Sequence, residues 1–261
     1  MPTRRSRAVV ALTALLALGV VAVSTGGAQA KSPEQKTAAT MPVASSTSST
    51  AAPLTSDSAL GLQDRPNIVV MMADDMRADD VQYMPNVQRL IRAEGVDFTN
   101  AFSPHPLCCP ARASFVTGQY THNHHVWSNN HPYGFAALDD TRTVATGLDD
   151  VGYNTAFLGK YLNGYGSDPA PDGSAQDSLA YVPPGWKEWR GSVGGPPGWD
   201  DPDAGGTYRY WDTTLNVDGV LQGNQGIYQT RLLGTQAADL VAEYAPSPKP
   251  FFLWTSYVAP H

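Results

Sequence analysis

Cysteine is nearly absent. The 261 residues contain two, and they are neighbours, Cys108 and Cys109. Adjacent cysteines rarely bond each other, because the Cα separation and S–S dihedral of a disulfide strain the peptide between them. Nor can they form the two halves of a spaced zinc knuckle. Reactive chemistry and a pair of inert buried thiols are the readings left. Excess positive charge is missing as well. A net charge of −7 excludes a surface built for nucleic acid or another polyanion, so an anionic ligand must be drawn by a local cationic pocket. The longest apolar run, Ala8 to Val23, is short for a membrane-spanning helix. It follows Arg4, Arg5 and Arg7 and leads to Ala28-Gln29-Ala30. Basic, apolar and small-residue regions in that order describe a secretory signal peptide over residues 1–30, cleaved after Ala30, with an uncleaved anchor as the alternative. The Arg4-Arg5 pair is compatible with twin-arginine export. No cysteine closes the segment, which argues against a lipid anchor.

Aromatics and bulky aliphatics are sparse from residue 31 to 64, where Ser, Thr, Ala and Pro dominate. Such a stretch buries too little apolar surface to offset chain entropy and reads as a disordered linker. The mature protein is therefore expected to be secreted and free of the membrane after cleavage. Two unpaired cysteines are unusual in an oxidising compartment.

From Arg65 to His261 the chain reads as one ordered α/β region. Ile68-Val69-Val70-Met71-Met72-Ala73 is a continuous apolar run, expected to be a strand buried on both faces within a parallel sheet. It ends at Asp74-Asp75, where α/β proteins place their sites. Two carboxylates there suit a hard cation, although a solvated turn or a helix N-cap explains them equally well. Pro85, Val87, Leu90, Ile91 and Gly95 have the spacing of an amphipathic helix with a terminal glycine. Val96 to Phe102 reads as extended, and Ala113 to Val116 as the start of a helix behind the cysteines. Thr143 to Val151 reads as a helix and Tyr153 to Gly159 as a second buried strand, together a parallel crossover unit ending at Lys160. Residues 167–206 form a long Gly/Pro/Asp-rich loop holding Trp186, Trp189 and Trp199, which either stack on sugar rings or pin the loop. A hairpin is expected around Asp218-Gly219, a helix over 228–244, and a third buried strand from Phe251 to Val258, followed by His261. Three of the six histidines, His122, His124 and His125, fall together, as a metal site or a polar loop would have them.

Cys108-x-Pro110-Ala111-Arg112 followed by Thr117-Gly118 resembles the signature of the formylglycine-dependent sulfatases. The Cys-Cys-Pro form, His122-Asn123-His124, Gly159-Lys160-Tyr161-Leu162-Asn163 and Pro183-Pro184-Gly185-Trp186 are most similar to its glucosamine-6-sulfatase and heparan 6-O-endosulfatase branch. The resemblance implies an alkaline-phosphatase-like α/β/α sandwich around a mostly parallel sheet, of which residues 65–261 are the N-terminal portion. It implies that Cys108 is oxidised to formylglycine by a formylglycine-generating enzyme. Asp74, Asp75 and the modified Cys108 are then ligands of Ca²⁺, with Mg²⁺ as the other option. Arg112 orients the hydrated aldehyde and screens the carboxylates, Lys160 holds sulfate, and His261 protonates the leaving alcohol. His124 and Asn163 are assigned to substrate. Many arylsulfatases have a histidine two residues after the lysine. Leu162 stands there, which leaves the base that deprotonates the hydrate unassigned.

The implied activity is sulfate-ester hydrolysis on a sulfated carbohydrate such as N-acetylglucosamine 6-sulfate. The alternatives are a phosphate mono- or diester hydrolase of the same superfamily and a secreted carbohydrate-binding protein without activity. In the family, a further pair of metal ligands and a second lysine come later than residue 261. On the resemblance, the 261 residues alone are expected to bind metal weakly and to show little activity.

Overall fold

The computed structural model describes residues 9–12, 65–194 and 206–261. The expected 31–64 linker and Trp199 lie outside the described residues. Of the expected signal segment, only Val9–Leu12 is described, as strand β1.

The second strand, β2 (Ile68–Asp74), is the expected apolar run, and it pairs in parallel with β1. A 3-10 turn (Ala78–Tyr83) follows, then α1 (Pro85–Val87) and a π-helical turn (Gln88–Arg92). The expected amphipathic helix over 85–95 is thus broken and buries no residue. Val87 and Ile91 are only half-buried and Leu90 is 56 % exposed, and in the segment that follows Val96, Phe98 and Phe102 are more exposed still. Val96 to Phe102, expected to be extended, forms no strand.

Helix α2 (Cys108–Thr117) starts at the first cysteine, five residues before the expected position. Pro110 is tolerated there because the first turn of a helix needs no N–H from it. Gly118 in the left-handed conformation (φ 67°) ends the helix. Next come α3 (Thr121–His124) and α4 (Val144–Asp150). Thr143 caps α4, its hydroxyl accepting from the Thr146 N–H at 3.3 Å. Strand β3 (Asn154–Lys160) follows. The expected long loop contains a strand of its own, β4 (Glu188–Ser192). The Gly/Pro composition around Trp189 hid a short segment that pairs along β3. The hairpin is β5 (Asp212–Val217) and β6 (Val220–Gln225), then α5 (Gln229–Tyr244) and β7 (Phe251–Pro260).

The seven strands run in the order β1-β2-β7-β3-β4-β5-β6, parallel from β1 to β4 and antiparallel at β5 and β6. Side-chain alternation gives the parallel strands two apolar faces. Val70, Met72, Phe157, Phe252 and Trp254 pack against Cys109, Ala113, Val116 and Ala145 of α2 and α4. Ala156, Leu158, Phe251 and Leu253 pack against Leu233, Leu240 and Tyr244 of α5. The result is the expected α/β sandwich around a mostly parallel sheet. Gly159 permits the close approach of β3 to β7: a Cβ there would lie 2.1 Å from the Ser256 carbonyl oxygen, and its φ of 97° suits only glycine. Among the described residues no helix is long and apolar enough to cross a membrane.

Candidate active site

The C-terminal ends of β2, β7 and β3, which are neighbours in the sheet, deliver Asp74, His261 and Lys160 to one place. Along a regular strand, adjacent residues point to opposite faces, so Asp74 and Asp75 would diverge. Two irregularities bring them together. The β2–β7 register shifts between Ala73 and Asp74, and Asp75 adopts φ 55°. The chain turns, and both carboxylates face the start of α2. The Cys108 Sγ then lies 4.0 Å from Asp74 Oδ2 and 3.9 Å from Asp75 Oδ1. The His261 Nδ1 is 2.5 Å from Asp75 Oδ2 and 3.4 Å from Asp74 Oδ2. One ligand atom from each of Asp74, Asp75, Cys108 and His261 falls within 4.8 Å of the others.

Two buried cations stand behind this group. Arg112, four residues along α2 from Cys108, donates to Asp74 Oδ1 at 3.0 Å, to the Lys160 carbonyl at 2.7 Å and to Ser256 Oγ at 2.5 Å. The Lys160 ammonium is paired with Asp74 Oδ2. Burial alone would raise the Asp74 pKa, but Arg112 and Lys160 overcome it and hold the carboxyl below its usual range. Burial and Arg112 both oppose the charge on Lys160, yet Asp74 keeps the ammonium above the ordinary lysine value. For Cys108, burial raises the pKa; Lys160 pulls the other way, and Asp74 and Asp75 add to the rise.

His124 is not among the side chains that converge here. Its side chain is buried beside α2, Nε2 is 2.9 Å from Ser114 Oγ, and Nδ1 accepts the Val126 N–H at 3.1 Å. Both ring nitrogens are occupied, and burial moves its pKa below the usual histidine value. Through these contacts His124 ties α3 to α2. Asn163 does reach the site: its Nδ2 donates to the Tyr208 hydroxyl at 2.8 Å. Trp186 and Trp189 are buried in the aromatic cluster with Phe157 and Trp254, so they pin the loop and offer no sugar platform.

Three site residues escaped the sequence reading. Tyr208 lies over Lys160, with Nζ 4.8 Å from the ring centre, and packs on the His261 ring at 4.9 Å. Ser256 receives Arg112 from the middle of an apolar strand. Asn129 Oδ1 accepts the Cys109 N–H at 3.0 Å, satisfying one free donor at the start of α2. Nothing in the spacing around these residues marks them.

The second cysteine has different surroundings. Burial pushes the Cys109 thiol up to about 12, with its Sγ 3.7 Å from the Asn163 carbonyl oxygen. At pH 8 only about one thiol in ten thousand is then ionised. Native protein treated with iodoacetamide at pH 8 is expected to stay unlabelled at Cys109, while the unfolded chain labels fully. Rapid native labelling of Cys109 in a peptide map would contradict this burial.

A mostly parallel α/β sheet thus gathers carboxylates, an imidazole and a buried lysine at three adjacent strand ends, against a thiol and a buried arginine of α2. A sequence model of the sulfatase family matches residues 66–261, and the chain belongs to that family. It is 39% identical over 142 residues to the extracellular sulfatase SULF-1 homolog of Drosophila melanogaster, covering 52% of this chain and 12% of that protein. To the N-acetylglucosamine-6-sulfatase of Capra hircus it is 33% identical over 211 residues, covering 76% and 34%. The chain thus spans about a third or less of the length of these relatives. A solved structure described as a complex with its substrate D-glucosamine-2-N,6-O-disulfate shares the fold, with a TM-score of 0.51 at 24% identity over 76% of this chain and 35% of that one.

Proposed function

We propose that the complete protein is a secreted sulfuric ester hydrolase acting on a sulfated sugar such as N-acetylglucosamine 6-sulfate. The observation that carries this reading is the convergence of Asp74, Asp75, Cys108 and His261 within 4.8 Å, backed by Arg112 and Lys160 on Asp74. The names of the Drosophila and goat relatives support the sulfate ester and the amino sugar.

The donor chemistry fits a hard divalent ion. Asp74 and Asp75 offer oxygens, and oxidation of Cys108 would replace a soft sulfur with another oxygen. Two carboxylates give no more than about four oxygens, fewer than the six to eight that Ca²⁺ takes. Asp74, Asp75 and residue 108 would hold the ion. Formylglycine at position 108 supplies an oxygen nucleophile, and Ca²⁺ or Mg²⁺ supplies positive charge that favours its ionised form.

The remaining work falls to the side chains present. Lys160 and Arg112 balance the charges of Asp74 and Asp75, so the site does not repel an entering sulfate ester. A point-like ammonium suits a tetrahedral oxyanion, which fits Lys160 to the sulfate oxygens. His261 has Nδ1 against Asp75. That contact fixes the ring and leaves Nε2 to hold the proton given to the departing sugar oxygen. Cys108 as an unmodified thiol is poorly placed for nucleophilic attack, because burial, together with the two carboxylates near 4 Å, outweighs Lys160 and opposes a thiolate. That favours modification over cysteine catalysis.

The test pairs mass spectrometry with turnover. In protein from its native host, the Cys108 peptide is expected to carry the aldehyde mass. The purified complete protein should hydrolyse N-acetylglucosamine 6-sulfate faster than the matching phosphate ester. An intact thiol with no turnover would favour a carbohydrate-binding protein, and preference for the phosphate ester would favour a phosphohydrolase.

A further inference from the structure

Beside Lys160, at the C-terminal ends of β3 and β4, opens a cleft of about 380 Å³, within the range of small-ligand sites. Its walls are polar, formed by Lys160, Asn163, Asp168, Ser192, Thr207 and Tyr208. Tyr208 links this cleft to the site. Its ring covers Lys160 and leans on His261, while its hydroxyl accepts from Asn163 Nδ2. A phenol that accepts a hydrogen bond still has its own hydrogen to give, and among the described residues no group accepts it. The other half of the Asn163 amide, Oδ1, is buried without a hydrogen-bond partner. Two residues of the cleft wall thus carry one unused donor, the Tyr208 hydroxyl, and one unpaired acceptor, Asn163 Oδ1. A ring hydroxyl both donates and accepts, and vicinal ring hydroxyls match such a pair. The sulfate ester of an unsubstituted alkyl or aryl alcohol has no free hydroxyl to offer and would leave a buried oxygen unpaired.

Resting on the sulfatase reading, we propose that Tyr208 is a specificity-determining residue which, with Asn163, reads the hydroxyls of the sugar ring bearing the sulfate. The ring occupies the cleft and the sulfate lies toward Lys160. The phenol hydroxyl acts on the ring, whereas the aromatic face acts on Lys160 and His261. Different substitutions separate the two.

Tyr208→Phe keeps the face and removes the hydroxyl. A lost hydrogen bond to a substrate hydroxyl is expected to raise KM for N-acetylglucosamine 6-sulfate about tenfold. The kcat, and inhibition by inorganic sulfate (which has no ring), should stay within about twofold of wild type. Tyr208→Leu removes the face as well, and inorganic sulfate should then also inhibit more weakly. Equal weakening of the sugar ester and of inorganic sulfate in Tyr208→Phe would overturn the inference, because the residue would then act through Lys160 alone. An unchanged KM would overturn it too. Those outcomes leave the sulfatase reading intact. A wild-type protein that hydrolyses no sulfate ester removes both.

Discussion

Cys108→Ala is expected to lower kcat/KM for a sulfate ester by at least about four orders of magnitude, the scale of losing a nucleophile. Fold stability should change little. The side chain is small, it sits in the first turn of α2, and its polar neighbours are carboxylates that do not depend on it: Asp74 is held by Arg112 and Lys160, and Asp75 by His261. The measurement combines steady-state turnover with a urea melt of the same sample. Cys109→Ala is the internal control. It removes a thiol packed under Val70, Ala113 and their neighbours in the core facing α2, and the small cavity left should cost about 1 kcal/mol. Catalysis should persist. Equal losses of activity in the two variants, with equal losses of stability, would mean that residue 108 acts by packing.

How much of this centre could be read beforehand follows from how each residue is placed. Asp74, Lys160 and His261 stand where apolar runs stop, and the end of a buried strand is visible in sequence because the switch from β-branched to charged residues is abrupt. Cys108 and Arg112 are four apart on one helix, so a local motif contains their geometry. The convergence of Asp74 and Asp75 was implied by the resemblance but not by the local residue pattern. It depends on the register shift in the β2–β7 pairing and on the positive φ at Asp75, and no local pattern reports either.

Tyr208 and Ser256 are tertiary placements, brought to Lys160 and Arg112 across 48 and 144 residues of chain respectively. The clustered histidines do not share one environment: α3 turns His124 inward to Ser114, which the spacing does not report. The 85–95 segment has helical spacing but buries none of its residues fully, and packing rather than propensity stabilises most helices. Strand β4 was lost in a loop-like composition, since Trp189 and its neighbours take their strand conformation from pairing with β3.

Arg112→Met is expected to destabilise the fold by about 3–5 kcal/mol, the cost of breaking a buried ion pair from one side. Arg112 is 2 % exposed, and its guanidinium serves three acceptors on three elements: Asp74 on β2, the Lys160 carbonyl on β3 and Ser256 on β7. Methionine approximates the volume, so the loss reports charge and hydrogen bonds more than a cavity. It would leave Ser256 Oγ and the Lys160 carbonyl without that donor, and Asp74 with one cation instead of two. Arg112→Lys restores the charge without the planar fork that reaches several acceptors at once, and should recover only part of the loss. The sharper measurement is a cycle with Asp74→Asn. That substitution alone leaves Arg112 and Lys160 as two buried cations without their anion. Once Arg112 is methionine, removing the carboxylate charge leaves Lys160 alone, with no second cation beside it. The double variant should therefore be more stable than the sum of the single losses predicts, by at least about 1 kcal/mol. Strict additivity in urea melts would mean that Arg112 stabilises the protein through its bonds to β3 and β7, independently of the carboxylate.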